Sequence, residues 1–201
     1  MNDVQADFSV ELGADDPTLQ MPWSSPDSSI QYYDLRSHPD LLSQITEARE
    51  NEPLAEFLAA INSPRCMLQT AKCDTWSSRQ MDVEDEIFGA ACKYESYIDM
   101  VAVADGPRYS FAEMEDLGRK IARLLQRAPE IPAAAEFVVR RCYYRGELSP
   151  DPEREGFYLT FYLTGYGEDE PQAQERWSIA LQLAANALLQ LSASESARAR
   201  Q

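Results

Sequence analysis

Phe157-Tyr158-Leu159-Thr160-Phe161-Tyr162-Leu163-Thr164-Gly165-Tyr166 is the most regular stretch of this chain. Phe157, Leu159, Phe161 and Leu163 take every second position, and Tyr158, Thr160, Tyr162 and Thr164 fill the gaps. Successive side chains of a strand point to opposite faces. The alternation therefore predicts a strand with one apolar face in the core and a tyrosine/threonine face turned away from it. A sheet covered on one face only is commonly antiparallel.

The same reading extends outward from this strand. Phe137–Tyr144 is a second strand, joined to the first by the polar loop from Arg145 to Gly156. Downstream, Trp177, Leu181, Ala184, Leu188 and Leu191 recur at threes and fours and predict a helix over 172–192. Upstream, Ser110 to Gln126 carries the apolar stripe Phe111, Met114, Leu117, Ile121, Leu124 and Leu125. Ser110 and Glu113 have the spacing of a capping box, in which each side chain accepts the other's free backbone N–H. Lys120, Arg123 and Arg127 oppose the negative end of that helix dipole.

Before that helix come two further strands, Cys66 to Trp76 and Ala91 to Ala104, paired as a hairpin across an acidic connection. In the first, Met67, Ala71 and Cys73 are expected on one face and Thr70, Lys72, Asp74 and Trp76 on the other. Leu41, Leu42, Ile45 and Ala48 form a helical stripe entered through Ser37 and Pro39. Pro53 breaks and restarts it, and Leu54, Phe57, Leu58 and Ile61 continue the stripe. Ile30 to Leu35 is expected to be a short first strand.

These elements predict an α+β fold of order β-α-β-β-α-β-β-α. It is an antiparallel sheet of four to five strands with three to four helices mainly on one face. Residues 30–195 are expected to form a single α+β domain. Residues 1–29, rich in Asp, Ser and Pro and without a sustained period, are expected to be a disordered acidic tail. Within them Leu19, Met21, Pro22 and Trp23 could pack on the domain as an anchor or serve as a docking peptide. Residues 196–201 are expected to be a polar C-terminal tail.

Composition narrows the function classes. With 201 residues and 44% hydrophobic content the chain can bury its own core. Its 34 Asp and Glu outnumber 18 Lys and Arg, for a net charge of −16. Such a field repels nucleic acid and anionic lipid and favours a basic protein partner or a cation. The first 29 residues alone carry Asp3, Asp7, Glu11, Asp15, Asp16 and Asp27 with no Lys or Arg. No apolar run approaches the length of a membrane span, and the first residues lack the pattern of a secretory signal. A cytoplasmic location is therefore expected, with no membrane partner.

Catalytic chemistry has little to stand on. The lone histidine, His38, sits at a helix start, where the positive helix end disfavours its protonated form. No G-x-S-x-G is present. Cys66, Cys73, Cys92 and Cys142 include no C-x-x-C pair. Arg140 shares a strand face with Cys142, a slight hint of an activated thiol. Asp82, Glu84, Asp85 and Glu86 lack the spacing of a calcium loop and read as a solvated connection. No Gly-rich phosphate loop is found, and no cofactor or metal is expected.

The outer face of the sheet is the feature with most to offer. Tyr158, Tyr162 and Tyr166 share it, and Trp76, Tyr97 and Tyr144 are expected to join them. Tyr and Trp give large contact area at modest entropy cost and are enriched at interfaces. The leading expectation is therefore a non-catalytic, acidic protein-binding module acting on a protein partner of basic character, with homodimers allowed. Immunity proteins and antitoxins share this profile. The element order is similar to that of the small acidic chaperones of type III secretion, a likeness of architecture only. The rival expectation is a small enzyme using a cysteine or carboxylates such as Glu95 and Asp99 between sheet and helices.

Overall fold

The computed structural model describes residues 5–82, 85, 88–129, 131–148 and 151–198. Its centre is a mixed six-stranded sheet of order β1-β5-β6-β4-β3, with β2 also paired to β5. The strands are β1 (Gln5–Val10), β2 (Leu19–Met21), β3 (Leu68–Ser78), β4 (Cys92–Ala102), β5 (Ala133–Arg145) and β6 (Glu153–Gly167). Antiparallel β3–β4, β4–β6 and β5–β6 pairs make up most of it, while β1 and β2 run parallel to β5. The helices are α1 (Thr46–Glu50), α2 (Glu52–Ile61), α3 (Asp105–Tyr109), α4 (Phe111–Leu125) and α5 (Glu170–Arg198).

The α+β class and both hairpins agree with the periodicity. The inner face of the sheet (Ile98, Met100, Phe137, Val139, Leu159, Phe161 and Leu163) packs against Phe57 of α2, Ile121 of α4 and Trp177 of α5. Phe161 is fully buried, its ring stacked on Phe137 at 4.7 Å and 6.0 Å from Phe57. Gly165 lets α5 approach β6: a Cβ there would lie 2.4 Å from the Ala173 carbonyl and the Trp177 amide. Pro53 restarts the chain as α2, where its missing N–H costs nothing.

Several expectations are corrected. Ile30 to Leu35 is not a strand. Ile30 is 59% exposed, only Gln31 forms a bridge, to Ser24, and the Tyr32 amide donates to the Trp23 carbonyl. The segment thus folds back on Trp23 instead of joining the sheet. The first strands come from the stretch expected to be a disordered tail. Ala6 and Phe8 face the helices, and Phe8 sits against Gly118 of α4, where a Cβ would lie 2.5 Å from the ring. Ser9, on the other face, donates to Glu136, and Glu11 pairs with Arg140. The acidic residues that suggested disorder are therefore partly matched by the sheet. Strand number and parallel pairing change as a result, and the helix count differs separately, through the additional short helix α3 and the division of α1 from α2.

Three local details also differ. α5 runs on through Arg198, beyond the boundary at 196. The capping box is half-formed: the Ser110 hydroxyl accepts from the Glu113 amide at 3.4 Å, but the Ser110 amide donates to the Gly106 carbonyl, because α3 immediately precedes. In β3 a bulge between Thr70 and Lys72 shifts the alternation. Thr70 now faces the helices, bonded to Asn62, while Ala71 joins the outer face.

Candidate functional site

Alternation in β3, β4, β5 and β6 fixes which side chains reach the outer face of the sheet, and the N-terminal segment decides which of them stay accessible. At one end Leu19 and Met21 of β2 join Ala71, Val101, Cys142, Tyr144 and Tyr158 in a second apolar cluster, with Trp23 and Tyr32 packed against it. Tyr144 is completely buried. Its hydroxyl donates to the Phe157 carbonyl, and its ring meets Tyr109 edge-on at 5.5 Å. Tyr158 is 3% exposed. Neither ring presents a surface to a partner.

Tyr166 is closed off separately. Phe88 stacks on its ring at 4.0 Å and its hydroxyl donates to Asp85 at 2.6 Å. Asp85 also accepts from Lys93, at 3.1 Å. The expected solvated acidic connection is thus anchored at Asp85, which is buried. Glu84 and Glu86 lie outside the described residues.

The structure leaves three of the six expected aromatic residues accessible and brings them together. Trp76, Tyr97 and Tyr162 follow one another across β3, β4 and β6, with ring centroids 6.3 and 6.4 Å apart. Trp76 is 40% exposed and its indole N–H donates to Glu95 at 2.9 Å. Tyr97 and Tyr162 are half-buried.

Beneath the strip lies a polar network. The Arg140 guanidinium donates to Glu11, to the Thr160 hydroxyl and to the Tyr162 hydroxyl, the last two at 3.0 Å. The Thr160 hydroxyl in turn donates to Asp99 at 2.7 Å. Burial pushes the Asp99 carboxyl up to about 6, against the hydrogen bond from Thr160 and the nearby charges of Lys72 and Arg140. The Lys72 ammonium lies 5.5 Å from both the Trp23 and Tyr97 rings. Beside Lys72, a cavity of about 330 Å³ opens against β3, lined by Trp23, Ile45, Glu47, Cys73, Asp74 and Tyr97.

The four cysteines are free, and Cys66, Cys92 and Cys142 are buried. Arg140 is committed to Glu11, Thr160 and Tyr162, while Cys142 packs into the second apolar cluster. Burial pushes the Cys142 and Cys73 thiols up to about 12 and raises that of Cys66. The thiolate is disfavoured at all three. His38 is exposed and makes no side-chain cap bond. Among the described residues no three His, Cys, Asp or Glu side chains converge as a metal site. Lys72 and the Arg140–Thr160–Asp99 relay were not singled out from the sequence as parts of one site. The paired acidic positions Glu95 and Asp99, and Arg140 on the same outer face, were the signals that could have found it.

No family model matches this chain, and no curated protein or solved structure matches it. No helix among the described residues is long and apolar enough to cross a membrane.

Proposed function

We propose that this chain is a non-catalytic, acidic protein-binding module acting in the cytoplasm on a basic protein partner. The observation that carries the reading is the uncovered strip Trp76–Tyr97–Tyr162. The other three expected aromatic residues are buried by other parts of the chain, whereas Trp76 is exposed and Tyr97 and Tyr162 are half-buried in one connected strip. Large aromatic residues at the centre of an interface contribute disproportionately to affinity. The net charge of −16 favours encounter with a cationic surface.

The test is capture of the native partner by the full chain, followed by its affinity for wild type and for Trp76→Ala and Tyr97→Ala. Each substitution should weaken the complex by about 2 kcal/mol or more, with the fold intact by circular dichroism. Unchanged affinity in both variants removes the strip as the binding surface.

A second reading, a small enzyme, is favoured by one observation: Asp99 is a buried carboxyl held near neutrality, as general acids often are. It has no nucleophile beside it among the thiols, whose ionisation burial opposes. Protein binding is the better-supported of the two.

A further inference from the structure

The sheet has two edges, and they are finished differently. At one edge stand β1 and β2, of 6 and 3 residues, and the Ala6 carbonyl accepts from Gln126 of α4 at 2.7 Å. Short strands and side-chain covers are ordinary ways to close an edge. At the other stands β3, 11 residues long and last in the sheet. Only its first part is closed: the Thr70 amide donates to Asn62 at 3.0 Å, and the Ala71 carbonyl accepts from the Trp23 indole at 2.6 Å.

Past the bulge, among the described residues, no side chain of another element hydrogen-bonds this backbone edge. The Thr75 amide donates to the carboxylate of its neighbour Asp74, at 2.8 Å, so this N–H points away from β4. In an antiparallel pair such positions alternate, so Cys73 and Ser77 turn their amides the same way. From Lys72 to Ser78 every residue is exposed or half-buried. The cavity lies where the open run meets the covered one, against Ala71 to Asp74. Two carboxylates line it, Glu47 and Asp74, against one cation, Lys72, whose ammonium already lies 5.5 Å from both aromatic rings of the lining, Trp23 and Tyr97. The surplus of carboxylate over ammonium suits a second cationic side chain. The negative field is felt locally: after burial, Glu47, Asp74 and Asp99 are what raise the Cys73 thiol.

We propose that the open edge of β3 takes an extended, cationic segment of the partner as an added strand, paired along Cys73 to Ser77, with a Lys or Arg side chain in the cavity beside Asp74 and Glu47. The inference rests on the protein-binding reading and specifies the partner's chemistry. Main-chain hydrogen bonds supply the affinity of such an addition, and the pocket supplies the specificity. Trp76, on the outer face of the same edge, then covers one side of the added strand. A second copy is a poorer occupant, since two chains of net charge −16 repel each other.

The probe is a fluorescent, end-capped heptapeptide of alternating Lys and Val. It is compared with a Glu/Val counterpart and with a Lys/Val version N-methylated at alternate amides. The full chain should bind the Lys/Val peptide, with amide shifts in Cys73, Thr75 and Ser77. The Glu/Val and N-methylated peptides should bind at least tenfold more weakly. Thr75→Pro, which removes an outward N–H, and the double substitution Glu47→Lys/Asp74→Lys should each weaken the Lys/Val peptide at least tenfold. The charge reversals sit at the surface and keep the test valid should Thr75→Pro lose its fold. Equal binding of the N-methylated peptide, or shifts confined to Tyr97 and Tyr162, would overturn strand addition. A dimer in sedimentation that Thr75→Pro dissociates would also overturn the proposal, by assigning the edge to a second copy. Loss of the captured native partner in Trp76→Ala, without any effect of the edge variants, would leave the protein-binding reading standing and remove only the edge.

Discussion

The two ends of the outer face share β4, β5 and β6, and β6 gives each a tyrosine four residues from the other, Tyr158 and Tyr162, yet they have become different materials. Under β2 the rings of Tyr144 and Tyr158 belong to an apolar interior. A few residues away Tyr97 and Tyr162 lie over a hydrogen-bonded relay and face solvent. Within the strands, the apolar Val101 and Cys142 join the closed cluster, while Arg140, Thr160 and Asp99 form the relay at Tyr162. The closed end differs further in the segment Leu19 to Trp23, paired at the edge of β5 and packed into that end, which comes from more than a hundred residues earlier in the chain. On a two-faced sheet, local pattern decides which way a side chain points, and remote chain decides whether it meets water.

The comparison can be broken most forcefully at Met21. It is fully buried as part of the roof, and Met21→Ala should cost about 2–5 kcal/mol of stability in chemical denaturation. A cost under 1 kcal/mol would mean that β2 rests loosely and that the closed end is not a true second core.

Asp99 gives a smaller effect with a distinct signature. Its carboxyl is raised to about 6 in the folded chain from an ordinary 3.8. The native state therefore holds the proton more tightly than the unfolded state, and this residue's contribution to stability falls as pH rises between those values. Above about pH 6 the cost is complete, on the order of 2–3 kcal/mol. Asp99→Asn keeps an acceptor for Thr160 and should gain stability over wild type as pH rises from 4 to 8. A difference between the two melting curves that does not change with pH would show that the relay keeps Asp99 ionised throughout.

The smallest effect belongs to the open end. Trp76→Ala should change stability by less than about 1 kcal/mol, as exposed substitutions commonly do. A loss as large as that at Met21 would make the strip structural and sharpen the case against it as a binding surface.

Much of the architecture was legible because periodicity is local. Phe157 to Leu163 announced β6, the stripe from Phe111 to Leu125 announced α4, and Pro53 marked the start of α2. The parallel strands were not legible. Gln5–Val10 mixes Asp7 and Ser9 with Ala6 and Phe8, and its acceptance into the sheet depends on Gly118, Gln126 and Arg140, all far along the chain. For the site, the face of each tyrosine on β6 was readable. The burial of Tyr144, Tyr158 and Tyr166 was not, because Met21 and Phe88 supply it. The bulge in β3 erased the expected register of Ala71 and Cys73, since one extra residue inverts a two-residue period.

The parallel seating of β1 and β2 on β5 also sets a timetable. Glu11 and Arg140 are 129 residues apart, and neither N-terminal strand has a partner until β5 has been made. At roughly 5–20 residues per second of synthesis, Phe8, Leu19 and Met21 wait for on the order of ten seconds beside a growing chain. Throughout that interval their apolar side chains are open to other nascent proteins and to chaperones. A segment synthesised well before β5 is thus among the last that can dock, and a ribosome stall before Arg145 leaves it without a home.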